Sequence, residues 1–446
     1  MNAEPSQIIA TANTVRHVLN RPEAVDSLEK QAPSGPEAAA TLAFIYSVQA
    51  AIDRAQARVG DEVMATPHAE DDKAREAAVL LSMLSEGENG RVTTKPSPQG
   101  GLEAKFDTDD WIGWAGVVVQ KLMHLKPYPI IRPSVQIGLF PNHGRVALLG
   151  DWGTHLYGAP KCAEQIKADG GCFAMLLHLG DVYYSGTRNE VKNRFLDVWP
   201  KRSDKDLIQR AINSNHEMYS GGEAYFRDIL PRFKQAASYF AMANDHWLLV
   251  GLDTAYVDHD IDKEQVKWLN DILNHPSAKK KKVVFFSHQQ LFSRLEKQGW
   301  KLAAEDKLGP ILRNGHVQVW YWGHEHRCCI YDKHSGYGDL LARCIGHSGM
   351  PETREKVQTL KVENEVNTPQ DPIQWKRFDA VDQAHGQGQQ MHVPSGLVLD
   401  GRNRYITGEE EKFAPHGYAA LDFNGPDLVE SVFTPDGFLI HQMKVA

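Results

Sequence analysis

The sequence predicts an α/β fold in which a sheet is covered on both faces. From residue 127 onward, short apolar runs alternate with helical or turn-rich stretches, the layout of an α/β chain. Five of these runs are mainly apolar, broken only by His178, Gln209, Arg210 and Gln318: Val146 to Leu149, Phe173 to Leu179, Ile208 to Ile212, Val283 to Phe286 and Val317 to Trp322. Strands of that composition are buried on both sides. Each run leads directly into a motif that carries a potential metal ligand. The motifs are Gly150-Asp151-Trp152-Gly153, Gly180-Asp181-Val182-Tyr183-Tyr184, Ser214-Asn215-His216-Glu217, Ser287-His288 and Gly323-His324-Glu325-His326. Loops at the downstream ends of such strands gather ligands, so the five motifs point to one metal site.

Taken in order, the first 126 residues read as helical and Ala-rich. Glu37 to Val59 and Glu70 to Ser85 repeat apolar residues at spacings of three and four, as amphipathic helices do. Asp109 and Asp110 complement the dipole of a third helix running to about Leu125. Gly90 to Gly101, rich in Pro, Gly and Thr, reads as a loop. No cluster of ligand-type residues occurs in this part, which is expected to be a packing or partner-binding appendage. Residues 127–446 form the α/β unit.

Within that unit Trp247 to Leu252 is a further strand, followed by a helix from Asp262 to Leu273 with Val266, Leu269 and Leu273 on one face. Asp253, at the strand end, reads as a cap or turn residue. Glu352 to Lys412 breaks the pattern: it is polar, carries Pro369 and Pro372, and holds a Gly/Gln stretch from Gly386 to Gln390. Long connections of this type are usually functional or disordered, and this insertion is expected to be a substrate-selecting loop beside the site. His416 to Phe423 and Leu428 to Lys444 then alternate like antiparallel strands, with a turn at Pro435-Asp436-Gly437.

A net charge of −8 disfavours binding driven by neutralisation of nucleic-acid phosphates. The longest basic run, Lys279 to Lys282, lies one strand length, roughly 20 Å, from His288 and so belongs to the far edge of the sheet. The five cysteines, Cys162, Cys172, Cys328, Cys329 and Cys344, have no regular spacing. The residues after Met1 lack the basic start and apolar stretch of a secretory signal, and no run is long enough to span a membrane. The expectation is a cytoplasmic protein with free thiols and no membrane partner. Oligomeric state leaves no trace in the sequence.

The order of the motifs resembles the calcineurin-like metallophosphoesterases, and within them the purple acid phosphatase branch, with GDxG, GDxxY, GNH(D/E), a lone His and GHxH. The match covers about Arg145 to His326. Many relatives have DxH at the first motif. Here Gly153 takes the place of that His, and Tyr184, three residues after Asp181, stands where the branch has a phenolate ligand. The resemblance implies an αββα sandwich holding two metal ions. Asp151, Tyr184, His326 and a shared Asp181 would form a ferric site. Asp181, Asn215, His288 and His324 would hold Fe(II), Zn(II) or Mn(II). Charge agrees with the split, since two carboxylates and a phenolate suit Fe(III) and neutral donors suit the softer divalent ions.

By the same resemblance, His216 lies outside the ligand set and binds phosphate or protonates the leaving group. The implied function is hydrolysis of phosphate monoesters by a metal-bound hydroxide. The alternatives are a phosphodiesterase acting on nucleotides or other diesters, and a metal-binding module without turnover. The chain departs from the family pattern in three places. Ser214 replaces the Gly before Asn215, no further His follows His288, and the secretory signal and β-sandwich of plant members are missing. With that histidine absent, Arg294 is the expected phosphate-binding substitute.

Overall fold

The structure, a computed structural model, describes residues 94–96, 102–104, 127–169, 173–183, 185–201, 206–296, 300–369, 372–385 and 389–445. The chain divides into two compact units, residues 1–127 with 219–221, and residues 128–218 with 222–446. In the first unit, β1 (Thr94–Pro96) pairs antiparallel with β2 (Leu102–Ala104). The sequence predicts a loop over Gly90 to Gly101, whereas Thr94–Pro96 within it is extended. The three helices expected in residues 37–125 lie outside the described residues.

The second unit is built on two sheets. One is six-stranded. Its centre is β4 (His143–Leu149), β5 (Phe173–His178) and β6 (Ile208–Ala211), which run parallel. The C-terminal strands β18 (Tyr418–Asn424), β19 (Asp427–Phe433) and β20 (Leu439–Lys444) continue it antiparallel from β4. The other sheet is ten-stranded, with β8 (Trp247–Gly251), β9 (Lys282–Ser287), β10 (Val317–Trp322) and β12 (Leu341–Ile345) parallel at its centre, and β7 (Phe240–Ala243) and β3 (Gly138–Leu139) beyond β8.

Between the sheets lies a core that includes Val146, Leu148, Met175 and Leu177 from one and Leu249, Val284, Phe286 and Val319 from the other. On the outer face of the six-stranded sheet, α1 (Ala159–Ala168) buries Cys162, Ala163 and Ile166. On the outer face of the ten-stranded sheet, α3 (Lys263–Leu273) buries Trp268, Leu269 and Ile272. The Asp262 side chain accepts from the Gln265 amide at 2.8 Å and starts that helix as an N-cap. The layers are therefore helix, sheet, sheet, helix, as expected. Among the described residues no helix is long and apolar enough to cross a membrane.

The segment 352–412 is not the irregular loop that its composition predicts. It folds into β13 (Lys361–Asn367), β14 (Pro372–Phe378), β15 (Val381–His385), β16 (Gln389–Val393) and β17 (Gly396–Gly401). Strands β13, β14 and β17 extend the ten-stranded sheet beyond β11 (Cys328–Tyr331). Ile373, Trp375 and Phe378 enter the core, while the edge strand β13 is almost wholly exposed and accounts for much of the polarity. Lys376 is buried too, because its ammonium donates to the Val357 and Gln358 carbonyls and pairs with Asp400.

Candidate metal centre

All five motifs lie at the downstream ends of the parallel strands β4, β5, β6, β9 and β10, on one edge of the two sheets. The chain turns sharply at that edge. Nine non-glycine residues among those described have positive φ, and four of them are Asp151 (56°), Asp181 (76°), His324 (70°) and His326 (53°). Such conformations are uncommon for non-glycine residues and cluster where side chains are held for function. Gly180 has φ +104°, and a Cβ there would fall 2.6 Å from His288 Nδ1. A Cβ on Gly323 would lie 2.6 Å from Asp151 Oδ2. Both glycines clear space for the ligand-type atoms beside them.

Two groups of side chains meet at Asp181. In the first, one ligand-type atom each from Asp151, Asp181 and His326 lies within 4.8 Å of the others. His326 Nε2 is 3.5 Å from Asp151 Oδ1 and 3.9 Å from Asp181 Oδ2. The phenol among them belongs to Tyr183. Its hydroxyl is 2.8 Å from Asp181 Oδ2, 3.1 Å from Asp151 Oδ1 and 3.0 Å from His326 Nε2. Tyr184, the phenol that the resemblance implies, lies outside the described residues.

The second group is Asn215, His288 and His324. His288 Nε2 is 2.8 Å from Asn215 Oδ1, 3.2 Å from His324 Nδ1 and 3.2 Å from Asp181 Oδ1. Asn215 opens the short helix α2 (Asn215–Met218). Ser214, just before it, bonds the Glu217 side chain through its hydroxyl, a polar start to the helix that the usual glycine could not supply. His216 stands beside the cluster, with its Nε2 3.7 Å from Asp181 Oδ2 and its ring against that of Tyr183.

The residues fit cations. His288 Nδ1 lies 2.9 Å from the Leu179 carbonyl. If it donates its proton there, Nε2 is left as a lone pair facing Asn215 Oδ1 and Asp181 Oδ1. Asp181 Oδ1 is itself buried without a hydrogen bond. Acceptors converging in this way repel one another unless positive charge lies between them.

Ionisation reflects the same crowding. Asp151 is held well above the usual carboxylate range by burial and by the neighbouring Asp181 charge. For Asp181 burial pushes upward, but the charges of His216 and His288 outweigh it and hold the carboxyl well below that range. Burial and the two carboxylates raise the Tyr183 phenol. Glu217 is pushed up to about 8, by burial first and then by Asp181.

Arg294 donates from Nε to the Asp379 carbonyl at 3.3 Å, and among the described contacts none joins it to the Asp181 cluster. Asp253 is a turn residue, accepting from the Ala255 and Tyr256 amides and from Asn213. Cys328 and Cys329 are buried on β11. Three side chains at this edge escape the motif reading. Tyr183 is hidden by the Tyr-Tyr pair, where spacing favours its neighbour. His259 follows β8 in a loop that no motif marks, although a sixth strand ending at the same edge was a usable signal. Glu352, whose Oε2 is 3.8 Å from His326 Nδ1, lies in the segment read as an insertion.

The profile of the calcineurin-like phosphoesterase family matches residues 144–328. Among solved structures, a purple acid phosphatase from yellow lupin (Lupinus luteus) seeds aligns at 14% identity and a TM-score of 0.45. The alignment covers 72% of this chain and 55% of the lupin chain, so the match spans little more than half of that protein. A conserved Streptococcus pneumoniae protein, described as a predicted phosphoesterase, aligns at 9% identity and a TM-score of 0.29, over 68% of this chain and 98% of its own. No curated protein sequence matches.

Proposed function

We propose that the chain, whose residues 144–328 match the calcineurin-like phosphoesterase family, is a binuclear, purple acid phosphatase-like hydrolase of phosphate monoesters. The observation that carries the reading is the convergence of ligand atoms on both sides of Asp181, with Oδ1 of that carboxylate buried and without a hydrogen bond. Asp151, His326 and a tyrosine would hold one cation. Asn215, His288 and His324 would hold the other, and Asp181 would be shared. The three hydroxyl distances of 3.1 Å or less support Tyr183 as the phenolic donor; Tyr184 is the rival that the motif spacing favours. The donor types suit Fe(III) on the first side and Fe(II), Zn(II) or Mn(II) on the second.

Two bound cations would supply Lewis acidity, polarising phosphate oxygens and lowering the pKa of water. The chain's own residues do the rest. Asp181 and Asp151 offset the positive charge in a buried edge. His216, next to the ligand atoms but not among them, holds a proton near the phosphate oxygens and the leaving group. The phosphoesterase unit is taken as residues 127–446, with residues 1–126 as a separate appendage.

The test is turnover of a chromogenic phosphate monoester and its diester, with metal content measured on the same sample. Monoester hydrolysis that disappears on chelation and returns with metal is expected. Faster diester turnover would reassign the substrate class, and bound metal without turnover would leave a metal-binding module.

A further inference from the structure

The three candidate histidine ligands differ in what meets the ring nitrogen facing away from the ligand cluster. For His288 it is the Leu179 carbonyl at 2.9 Å, and for His326 the Glu352 carboxylate at 3.8 Å. Both are oxygens of the kind that ligand histidines usually face; the Leu179 carbonyl is close enough to accept the N–H and fix the tautomer, while Glu352 lies beyond hydrogen-bond reach. His324 is the exception. Its Nδ1 faces Asn215 Oδ1 at 3.1 Å and His288 Nε2 at 3.2 Å, while its Nε2 faces Nε2 of another histidine, His259, at 3.3 Å.

A neutral imidazole accepts a hydrogen bond at one ring nitrogen only if its other nitrogen carries the hydrogen. The structure provides for that: His259 Nδ1 lies 2.8 Å from Asp258 Oδ1. Donation to the Asp258 carboxylate leaves His259 Nε2 as a lone pair. That lone pair accepts the His324 Nε2 hydrogen, and His324 Nδ1 is left as a lone pair aimed at Asn215 and His288. Each proton assignment follows from the one before it.

The turn that presents His259 is built for the purpose. The Asp260 amide closes it onto the Val257 carbonyl at 2.8 Å and also lies 3.1 Å from the Thr254 carbonyl. Lys307 holds the Asp260 carboxylate from another part of the chain. His259 itself has φ +53°, a left-handed conformation that costs a non-glycine residue energy and is kept where surrounding structure imposes it.

We propose that Asp258 and His259 form a relay that fixes the tautomer and aim of His324, making His259 a positioning residue for the second cation site. The inference rests on the metal-centre reading above and adds residues that no family motif contains.

The experiment titrates the metal-free full-length chain with Co²⁺, reading ions bound per chain and the visible ligand-field spectrum. The parent is expected to bind two ions. In His259→Ala the second is expected to bind about 10–100-fold more weakly, the usual loss when an outer partner of a ligand is removed. His259→Gln keeps an acceptor oxygen in place of Nε2 and is expected to stay within about threefold of the parent. Unchanged cobalt binding in His259→Ala would overturn the relay, and so would equal weakening in the Ala and Gln variants, which would mark a structural role. A parent that binds no cobalt would overturn the metal-centre reading and the relay with it. A parent that binds two while His259→Ala does so equally well would overturn the relay alone.

Discussion

The two sides of Asp181 are built from different chemistry. On one side stand Asp151, Tyr183 and His326, which crowd anionic or ionisable oxygens into a buried space and leave Asp151 well above the ordinary carboxylate range. On the other stand Asn215, His288 and His324, neutral donors whose outward ring nitrogens are held by Leu179 and His259. In the proposed centre the first side would take the more highly charged cation, which relieves that repulsion. The second needs correct tautomers, because a neutral imidazole binds metal only through its lone pair. The difference teaches how the proposed centre would be preorganised in two ways, by charge on one side and by hydrogen bonding on the other.

The strongest way to break this comparison is to remove what the sides share. Asp181→Asn is expected to lower turnover on the order of 10³-fold or more, since several kcal/mol of charge stabilisation leaves with the bridge. Steady-state kinetics with a monoester would check this, and a variant retaining most of its activity would show that the two sides act separately. His216→Ala should keep its metal and lose turnover by roughly 10²–10⁴-fold, with partial rescue by a substrate whose leaving group needs little protonation. Equal rescue with good and poor leaving groups would assign His216 to phosphate binding.

A smaller effect on rate but a sharp one on colour separates the tyrosines. If a phenolate on Fe(III) gives the protein a visible band, Tyr183→Phe should remove it and Tyr184→Phe should leave it. The opposite result would return the role to Tyr184, and a colourless, fully iron-loaded parent would exclude a ferric phenolate. The least effect on the centre is expected from Trp375→Ala in β14. It should cost about 3–5 kcal/mol of stability, seen as a lower thermal midpoint, without changing the ratio of the two metals.

Trp375 also shows where the sequence was hard to read. The strand runs Val146 to Leu149, Phe173 to Leu179 and Val317 to Trp322 are buried on both faces, so their mainly apolar composition betrays them. The strand carrying Trp375 alternates, and its polar positions include Lys376, which is buried only because distant carbonyls and Asp400 satisfy it. No local pattern announces such partners. The candidate ligands were legible for the opposite reason: a potential metal-binding side chain follows each strand within a few residues, with a glycine just before it in three of the five motifs. His259 was not, since its role depends on a ring nitrogen of His324, 65 positions away. The choice between Tyr183 and Tyr184 turns on the direction of a tight loop, which spacing alone does not specify.

The central claim is that Asp181 joins two cation sites, and elemental analysis tests it most directly. The parent, His216→Ala and Asp181→Asn proteins would be reconstituted with iron and zinc, freed of excess metal and measured for ions per chain. Two ions in the parent and in His216→Ala, with both lost together from Asp181→Asn, is the predicted result. A single ion in the parent, or two retained in Asp181→Asn, would contradict it.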